Sequence, residues 1–479
     1  MNSILFGLIV YLLLLIVIAV WSFRFNKTLG DFLLAGRKLG TWVVTLSERA
    51  SGESAWLLLG LPGVLFASGF QELWVAIGCT SGILFSWMFV ARRLRTETAK
   101  YDALTLPDFF ECRFCDGSHV LRIFSSVVIT FFFTFYVCAQ LKAAGILFSL
   151  FLPISDWQAM LLGGGIIVFY TLMGGFLAVA WTDVVQSLLM LLTLVVLPLV
   201  ALMELGGWNS AIAQISAAHP NHLDLLGGQA GLTAGLTIIS GLAWGLGYMG
   251  MPHLLTRFMA IKYPDNLRKG AVIGISWAVL AFWGAMFIGL FGTVLLAGQG
   301  VADQEKVMPM MAIHLLPGWI AGILIAGALA AMMSTADSQL LVTTSSLAED
   351  IYHKLIRRDA RQKSLVNISR LITFIVGVVA LVIALASEDL VFTMVGFAWS
   401  GLGAAFGPAI LLTLWWKKTT REGVLAGMIC GTVVTIFWRL TPCLKSMLFE
   451  IVPAFIIAFL ACWLVSLATK QKNSKAMPA

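Results

Sequence analysis

Two neutral oxygens sit side by side at Ser334 and Thr335, near the middle of a long apolar stretch. Sodium is a hard cation that prefers oxygen, so hydroxyls joined by free backbone carbonyls can form its shell without a fixed charge. The same pair can instead bond back to the carbonyl four residues earlier, an ordinary use of hydroxyls in membrane helices. Charges at similar depth form a second set: Glu48, Arg49, Glu53, Lys142 and Asp337 all lie within apolar stretches. An uncompensated charge there costs at least about 2.5 kcal/mol on insertion scales, so these five are not idle. Three acids against two bases read as an internal ion-pair network, or as a device in which Lys142 or Arg49 replaces cation charge or a carboxylate carries a proton. Asp183 follows Trp181 and Thr182 at the start of a further apolar stretch, where a carboxylate can cap a helix N-terminus. The last set is aromatic. Trp244 and Tyr248 are four residues apart on one helical face, and Tyr136 and Gln140 repeat that spacing. Such pairs wall a solute site or serve as interfacial belt and core packing, and their mid-span depth argues against the belt.

The elements that must position these residues are membrane helices. Of 479 residues, 59% are hydrophobic and 11% charged, and the mean hydropathy is +0.93. A soluble domain carries about 25% charged residues, so most of this surface faces lipid. A secreted disulfide scaffold, a nucleic-acid binder and a soluble enzyme on a single anchor are excluded, because apolar runs fill the whole length. Thirteen stretches are long enough to cross: 3–22, 41–66, 71–91, 119–150, 156–178, 182–204, 232–250, 268–297, 317–346, 366–386, 391–415, 422–440 and 447–468. The first is too long for a signal peptide and is read as a retained helix. One alternate set of connections holds 25 Lys and Arg, with Arg257 among them, and the other holds 3, namely Lys306, Arg439 and Lys445. The positive-inside rule therefore puts the N-terminus outside and the C-terminus in the cytoplasm, as an odd span count requires. Segments 92–118 and 347–365 are expected to act as cytoplasmic gates or anchors. Cys112 and Cys115 have a metal-like spacing but no second pair. No helical His-Glu-x-x-His, nucleophile elbow or P-loop supports an enzyme.

In lipid every backbone polar group must be paired, so an interrupted helix survives only where it lines a cavity or site. Two interruptions stand out, at 46–56 in the second span and at 241–253 in the seventh. Close Gly-mediated helix contacts are the simpler reading of each. Charges accompany the first and a proline the second, which raises the cost of mere packing. The breaks lie five spans apart, so a five-helix unit that starts with a broken helix occurs twice, the second copy inverted. That is the sequence pointer to a transporter with its site at the midplane.

At these residues the chain resembles the sodium:solute symporter family, and its sodium/proline branch most closely, along essentially its whole length. The matching stretches are Ala50, Ser51 and Ser54 with 56–63, then 103–108, 174–183, 244–248 with Pro252 and His253, and 330–335. The resemblance implies an all-α, polytopic LeuT-type fold of one transporter unit, 1–479. Its inverted repeats would be spans two to six (41–204) and seven to eleven (232–415), with an extra helix at 3–22 and two more at 422–468. It also implies that Ser334 and Thr335 join backbone carbonyls of Ala50, Glu53 and Ala331 around a co-transported sodium ion, and that Asp183 lies on the cytoplasmic ion path.

A small zwitterion with an apolar ring needs aromatic walls, a few hydrogen bonds and a helix end for its carboxylate. By resemblance Tyr136, Trp244, Tyr248 and Pro252, with Trp56 and Gln140, are its contacts. The implied activity is sodium-coupled uptake of a small amino acid, L-proline first, by alternating access in the plasma membrane, with lipid around it and no obligate protein partner. One departure matters: the branch carries an aspartate where this chain has Gly52 and a nonpolar residue where it has Glu53. The extra charges Arg49, Glu53 and Lys142 keep open an alternative, a proton-coupled or cation-independent carrier of a related solute.

Overall fold

The computed structural model describes residues 2–22, 34–173 and 176–469, and these are helical throughout apart from short connections and one isolated bridge between Leu39 and Ile261. Arg24, Lys27, Gly174, Gly175 and the tail residues Lys470, Lys472 and Lys475 lie outside the described residues. Within the described residues each of the thirteen apolar stretches is mainly helical. Among the described residues nine helices are long and apolar enough to cross a membrane, and one bent pair makes a tenth.

Burial sorts them into layers. The ninth-span helix Gly318–Ser345 and the eleventh, Val391–Trp415, form the centre, with 83% and 89% of their apolar windows buried, whereas the tenth, Gln362–Ala386, has 28% and faces outward. Helix Val120–Phe151 crosses the same centre and carries Tyr136 and Gln140 fully buried.

Both expected interruptions are present. In the second span helix Thr41–Gly52 stops at Glu53, whose backbone (φ −107°, ψ 82°) leaves the helical region. The chain resumes helical form at Trp56 and continues through Leu61–Ser68. In the seventh span Gly231–Leu242 and the turn Trp244–Gly247 give way to an extended Met251, after which Pro252–Ala260 runs on at a bend of 42°. Proline opens that second piece because its missing N–H is an orphan at a helix start anyway. The seventh span therefore does not end at Gly250 as the hydropathy suggested, and Arg257 belongs to it rather than to a loop. Likewise the sixth-span helix starts at Phe176, so Asp183 lies two turns inside it and caps nothing.

Glycines let the third span approach the break in the seventh. A Cβ on Gly82 would lie 2.2 Å from the Gly245 carbonyl oxygen, and one on Gly245 would lie 2.3 Å from that of Gly78. Facing backbones leave no side chain to give way. Gly82→Ala is expected to destabilise the protein by roughly 1–3 kcal/mol or more. Gly235→Ala, where a Cβ meets nothing within 4 Å, is expected to leave stability unchanged or raised. Equal melting temperatures for the two variants in detergent would refute this packing account.

A short hairpin, Gln304–Lys306 followed by Val307–Leu315, closes one end. Glu305 is buried and accepts from the backbone amides of Val391 and Phe392, both at 3.0 Å, at the start of the central eleventh-span helix. That helix end favours an anion, yet burial wins and pushes the Glu305 carboxyl up to about 7, with Asp303 adding to the rise and Lys142 opposing it. A raised carboxyl means that docking holds a proton which the undocked, solvated hairpin releases. Docking is therefore firmest below the ordinary glutamate range and weakens as pH rises through about 7. Hydrogen exchange across 304–316, corrected for intrinsic rate, is expected to quicken between pH 6 and pH 8. A Glu305→Gln variant that kept the same pH response would refute the assignment.

Candidate functional site

A helix that stops inside a bundle leaves its last carbonyls without donors. At Thr41–Gly52 those carbonyls are met by side chains from far along the chain. Ser334 Oγ donates to the Ala50 carbonyl at 2.9 Å and reaches that of Ala331 at 3.1 Å. Thr335 Oγ1 donates to the Ser51 carbonyl at 3.1 Å, which also accepts from His253 Nε2 at 3.0 Å. Trp56 Nε1 lies 3.4 Å from the Gly52 carbonyl. Four of the five residues expected at the sodium site, Ala50, Ala331, Ser334 and Thr335, thus converge. Glu53 stands one residue beyond the helix end, its amide closing on Arg49 O at 3.1 Å. A hydroxyl can rotate its proton away and present lone pairs, so these atoms form a neutral oxygen cluster of the kind a small hard cation takes.

Beside this cluster lies a charged one. Arg257 is buried; its Nη2 meets Asp183 Oδ2 at 2.9 Å and Ser338 Oγ at 2.5 Å, its Nε meets Ser47 at 3.0 Å and its Nη1 the His253 carbonyl at 2.7 Å. Asp183 Oδ2 also accepts from Ser47 at 2.6 Å and Ser51 at 3.1 Å. Asp337 joins through Ser338, at 3.3 Å. Among the described residues Asp183 Oδ1 and Asp337 Oδ2 have no hydrogen-bond partner. No site role was assigned from sequence to Arg257 or Ser338, and His253 and Ser47 were noted only as a matching residue and as part of the break; the apolar run 251–261 continuing past the proline was the signal that could have found Arg257.

A second charged cluster faces the other side of the break. Arg49 binds Glu48 through Nε at 2.7 Å and through Nη2, and its Nη1 meets Glu53 Oε1 at 3.1 Å. Trp87 Nε1 donates to Glu48 at 3.2 Å and the Tyr248 hydroxyl to Glu53 Oε1 at 2.6 Å, so the two broken spans meet through Glu53. The expected five-membered charge network is therefore divided. Glu48, Arg49 and Glu53 form one group and Asp337 belongs to the group of Arg257. Lys142 joins neither, because its long side chain reaches the end of the bundle and donates to the carbonyls of Ser387 and Asp389 at 2.9 and 2.7 Å.

The expected solute contacts gather next to Glu53. Trp56 stacks on Trp244 with ring centres 5.1 Å apart, and Trp244 in turn packs on Phe392 and Phe449 at 4.8 and 5.2 Å. Gln140 holds the break itself, accepting from the Ala55 amide at 3.1 Å and donating to Ser54 at 3.3 Å. The Tyr136 hydroxyl is buried beside Ser54. Pro252 lies deeper, on a cavity of only about 20 Å³ shared with Thr105, Phe176 and Thr256. On the opposite side the aromatic layer is the floor of a vestibule of about 590 Å³, rimmed by Gln71, Glu72, Arg439 and Glu450. The narrow end is closed by Arg122, which binds Asp108, Glu111 and Asp350 at 2.6 Å each. That cluster joins the two hydrophilic segments, 92–118 and 347–365, that the sequence marked as gates.

The comparisons agree with this geometry. The model of the sodium:solute symporter family matches residues 32–431. The high-affinity proline transporter PutP of Bacillus subtilis is 40% identical over 462 residues, covering 96% of this chain and 97% of its own. The sodium/proline symporter of Escherichia coli is 40% identical over 472 residues, covering 97% and 93%. Among solved structures, a substrate-bound, outward-open Na+-coupled sialic acid symporter aligns over 98% of both chains with a TM-score of 0.81 at 18% identity. MhsT in complex with L-phenylalanine aligns over 89% of this chain and 98% of its own with a TM-score of 0.55 at 16% identity, and these likenesses show a LeuT-type fold. Broken spans that share one oxygen cluster and a family match over most of the length lead to one conclusion: the chain belongs to the sodium:solute symporter family.

Proposed function

We propose that this protein is a secondary active symporter that couples uptake of a small amino acid, L-proline in first place, to the inward sodium gradient by alternating access. The observation that carries the reading is the convergence of Ser334 Oγ on the open carbonyl of Ala50 at the helix end and on the Ala331 carbonyl of its own helix. Sodium, as cargo, replaces those hydrogen bonds with ion–oxygen contacts from Ala50, Glu53, Ala331, Ser334 and Thr335, and Asp183 lies on its way out. Trp56, Tyr136, Gln140, Trp244, Tyr248 and Pro252 hold the solute beside it. The two relatives named as proline carriers, each 40% identical over nearly full length, support proline over other amino acids.

In this reading thirteen spans cross the plasma membrane, with the N-terminus outside and the C-terminus in the cytoplasm. The repeats are 41–204 and 232–415, with 3–22 and 422–468 added. The vestibule then faces outward and the Arg122 cluster faces the cytoplasm.

Two measurements test these statements. In proteoliposomes, labelled proline uptake is expected to fall to background when choline replaces sodium. Ser334→Ala and Thr335→Ala are each expected to raise the sodium concentration for half-maximal uptake by about 10-fold or more, since each removes one hard-cation ligand. Uptake that ignores choline replacement but collapses with a protonophore would sink sodium coupling. For topology, Cys115 and Cys443 are both exposed, at opposite ends of the bundle. In single-cysteine variants an impermeant maleimide on intact cells is expected to label Cys443 at once and Cys115 only after permeabilisation; the reverse order would invert the assignment.

A further inference from the structure

We infer that the Glu53 carboxylate is the group that recognises the cationic nitrogen of the transported solute. The inference rests on the substrate reading above and names the side chain within that site which sets the solute's chemical class. Glu53 lies in the break, fully buried, and only one of its oxygens is engaged: Oε1 accepts from Tyr248 at 2.6 Å and Arg49 at 3.1 Å. Oε2 has no partner. A buried carboxylate oxygen without a donor is costly and calls for one.

Arg49 is not that donor. Its Nε and Nη2 are turned to Glu48, and Trp87 adds a bond to the same carboxylate. Glu48 and Arg49 balance each other, so Glu53 holds the unbalanced negative charge of the cluster. What completes it must be a cation that arrives and leaves.

The surroundings favour an organic ammonium over a metal ion. The oxygens assigned to sodium above, the hydroxyls of Ser334 and Thr335 with the carbonyls of Ala50 and Ala331, belong to the ninth-span face of the break, where Glu53 offers only its backbone carbonyl. Glu53 instead turns to the seventh span, where Tyr248 packs edge-on against Trp399 at 4.7 Å, and three residues further on Trp56 stacks on Trp244. The Tyr136 hydroxyl is buried beside Ser54 and within electrostatic reach of Glu53. A secondary or primary ammonium can donate one hydrogen to the carboxylate and a second to a phenol oxygen, with its apolar body against indole faces.

The test compares L-proline with two ring acids of similar size that lack the charged nitrogen, tetrahydrofuran-2-carboxylate and cyclopentanecarboxylate, as competitors of labelled proline uptake in proteoliposomes. In the wild-type protein both are expected to compete about 100-fold more weakly than proline or worse, because they leave the carboxylate unpaired. Glu53→Gln, which keeps the size and the bond to Tyr248, is expected to raise half-saturation for proline roughly 30-fold and to narrow the gap to under about 10-fold, while half-saturation for sodium moves by less than about 3-fold. Glu53→Asp is expected to keep the preference for the charged nitrogen with weaker affinity, and it decides the matter should Glu53→Gln not fold. Unchanged discrimination in Glu53→Gln, unchanged affinity in Glu53→Asp, or loss of only a protonophore-sensitive uptake component would overturn the inference. Failure of the substrate reading has a different signature: wild-type protein takes up no proline at all. The inference is then decided on the solute returned by a screen of amino acids and organic acids, where a cationic nitrogen upholds it and its absence overturns it.

Discussion

A helix end without partners of its own governs this structure. Helix Thr41–Gly52 stops inside apolar surroundings, where each unsatisfied carbonyl costs several kcal/mol and no bulk water is present to relieve it. The donors arrive from residues almost three hundred positions away in the ninth span and two hundred away in the seventh, namely Ser334, Thr335 and His253. Their placement requires both spans to lie against the break, and that in turn requires the close approach of Gly78, Gly82 and Gly245. If these carbonyls take the cation as proposed, the atoms that need donors in its absence are the ones that bind it, and stability and binding draw on one set of atoms, so that the ion leaves no bare carbonyls behind when it departs.

Charge is arranged around that end in two groups with different connections. Glu48, Arg49, Glu53, Trp87 and Tyr248 link the second span to the third and seventh. They tie these three spans together, so in the proposed alternating access the spans would move as one bundle with the group intact. Arg257, Asp183 and Ser338 instead link the seventh span to the sixth and ninth, across the surface over which such a bundle would slide. In each group one guanidinium faces two carboxylates. Both groups are therefore short of positive charge, and a transported cation relieves that shortage rather than adding to it.

Much of this was legible in the sequence because the physics is local. Charges and glycines within apolar runs mark broken helices whatever surrounds them, so 46–56 and 241–253 could be found from composition alone. Adjacent hydroxyls at Ser334 and Thr335 likewise announce a ligand pair, though only the fold shows which carbonyls they meet. Other residues were misplaced because hydropathy reads depth along the chain but not direction. Lys142 lies within an apolar run, yet a four-carbon side chain carries its charge to the carbonyls of Ser387 and Asp389. Arg257 follows a proline and a histidine that look like the end of a span, and its ion pair with Asp183, with bonds to Ser47, Ser338 and the His253 carbonyl, keeps it inside. Asp183 was assigned to a helix start because the Gly-Gly pair before it blurred where the fifth span ends and the sixth begins.

The two ends of the bundle are closed by different physics, and the difference suits a carrier that must reopen each in turn. On the vestibule side the closure is aromatic, Trp56 on Trp244 on Phe449, and its strength lies in contact area that is lost gradually as rings slide apart. On the other side Arg122 holds three carboxylates from two segments, and only about 20 Å³ of space lies beneath Pro252. An ionic closure of that kind is strong while dry, but weakens steeply once water enters and solvates the separated charges. Such a closure is bistable: it holds until the bundle has moved far enough to admit water, and then offers little resistance. In the orientation proposed above, an aromatic layer at the vestibule and an ionic latch at the opposite end would let entry of the solute be graded and its release abrupt.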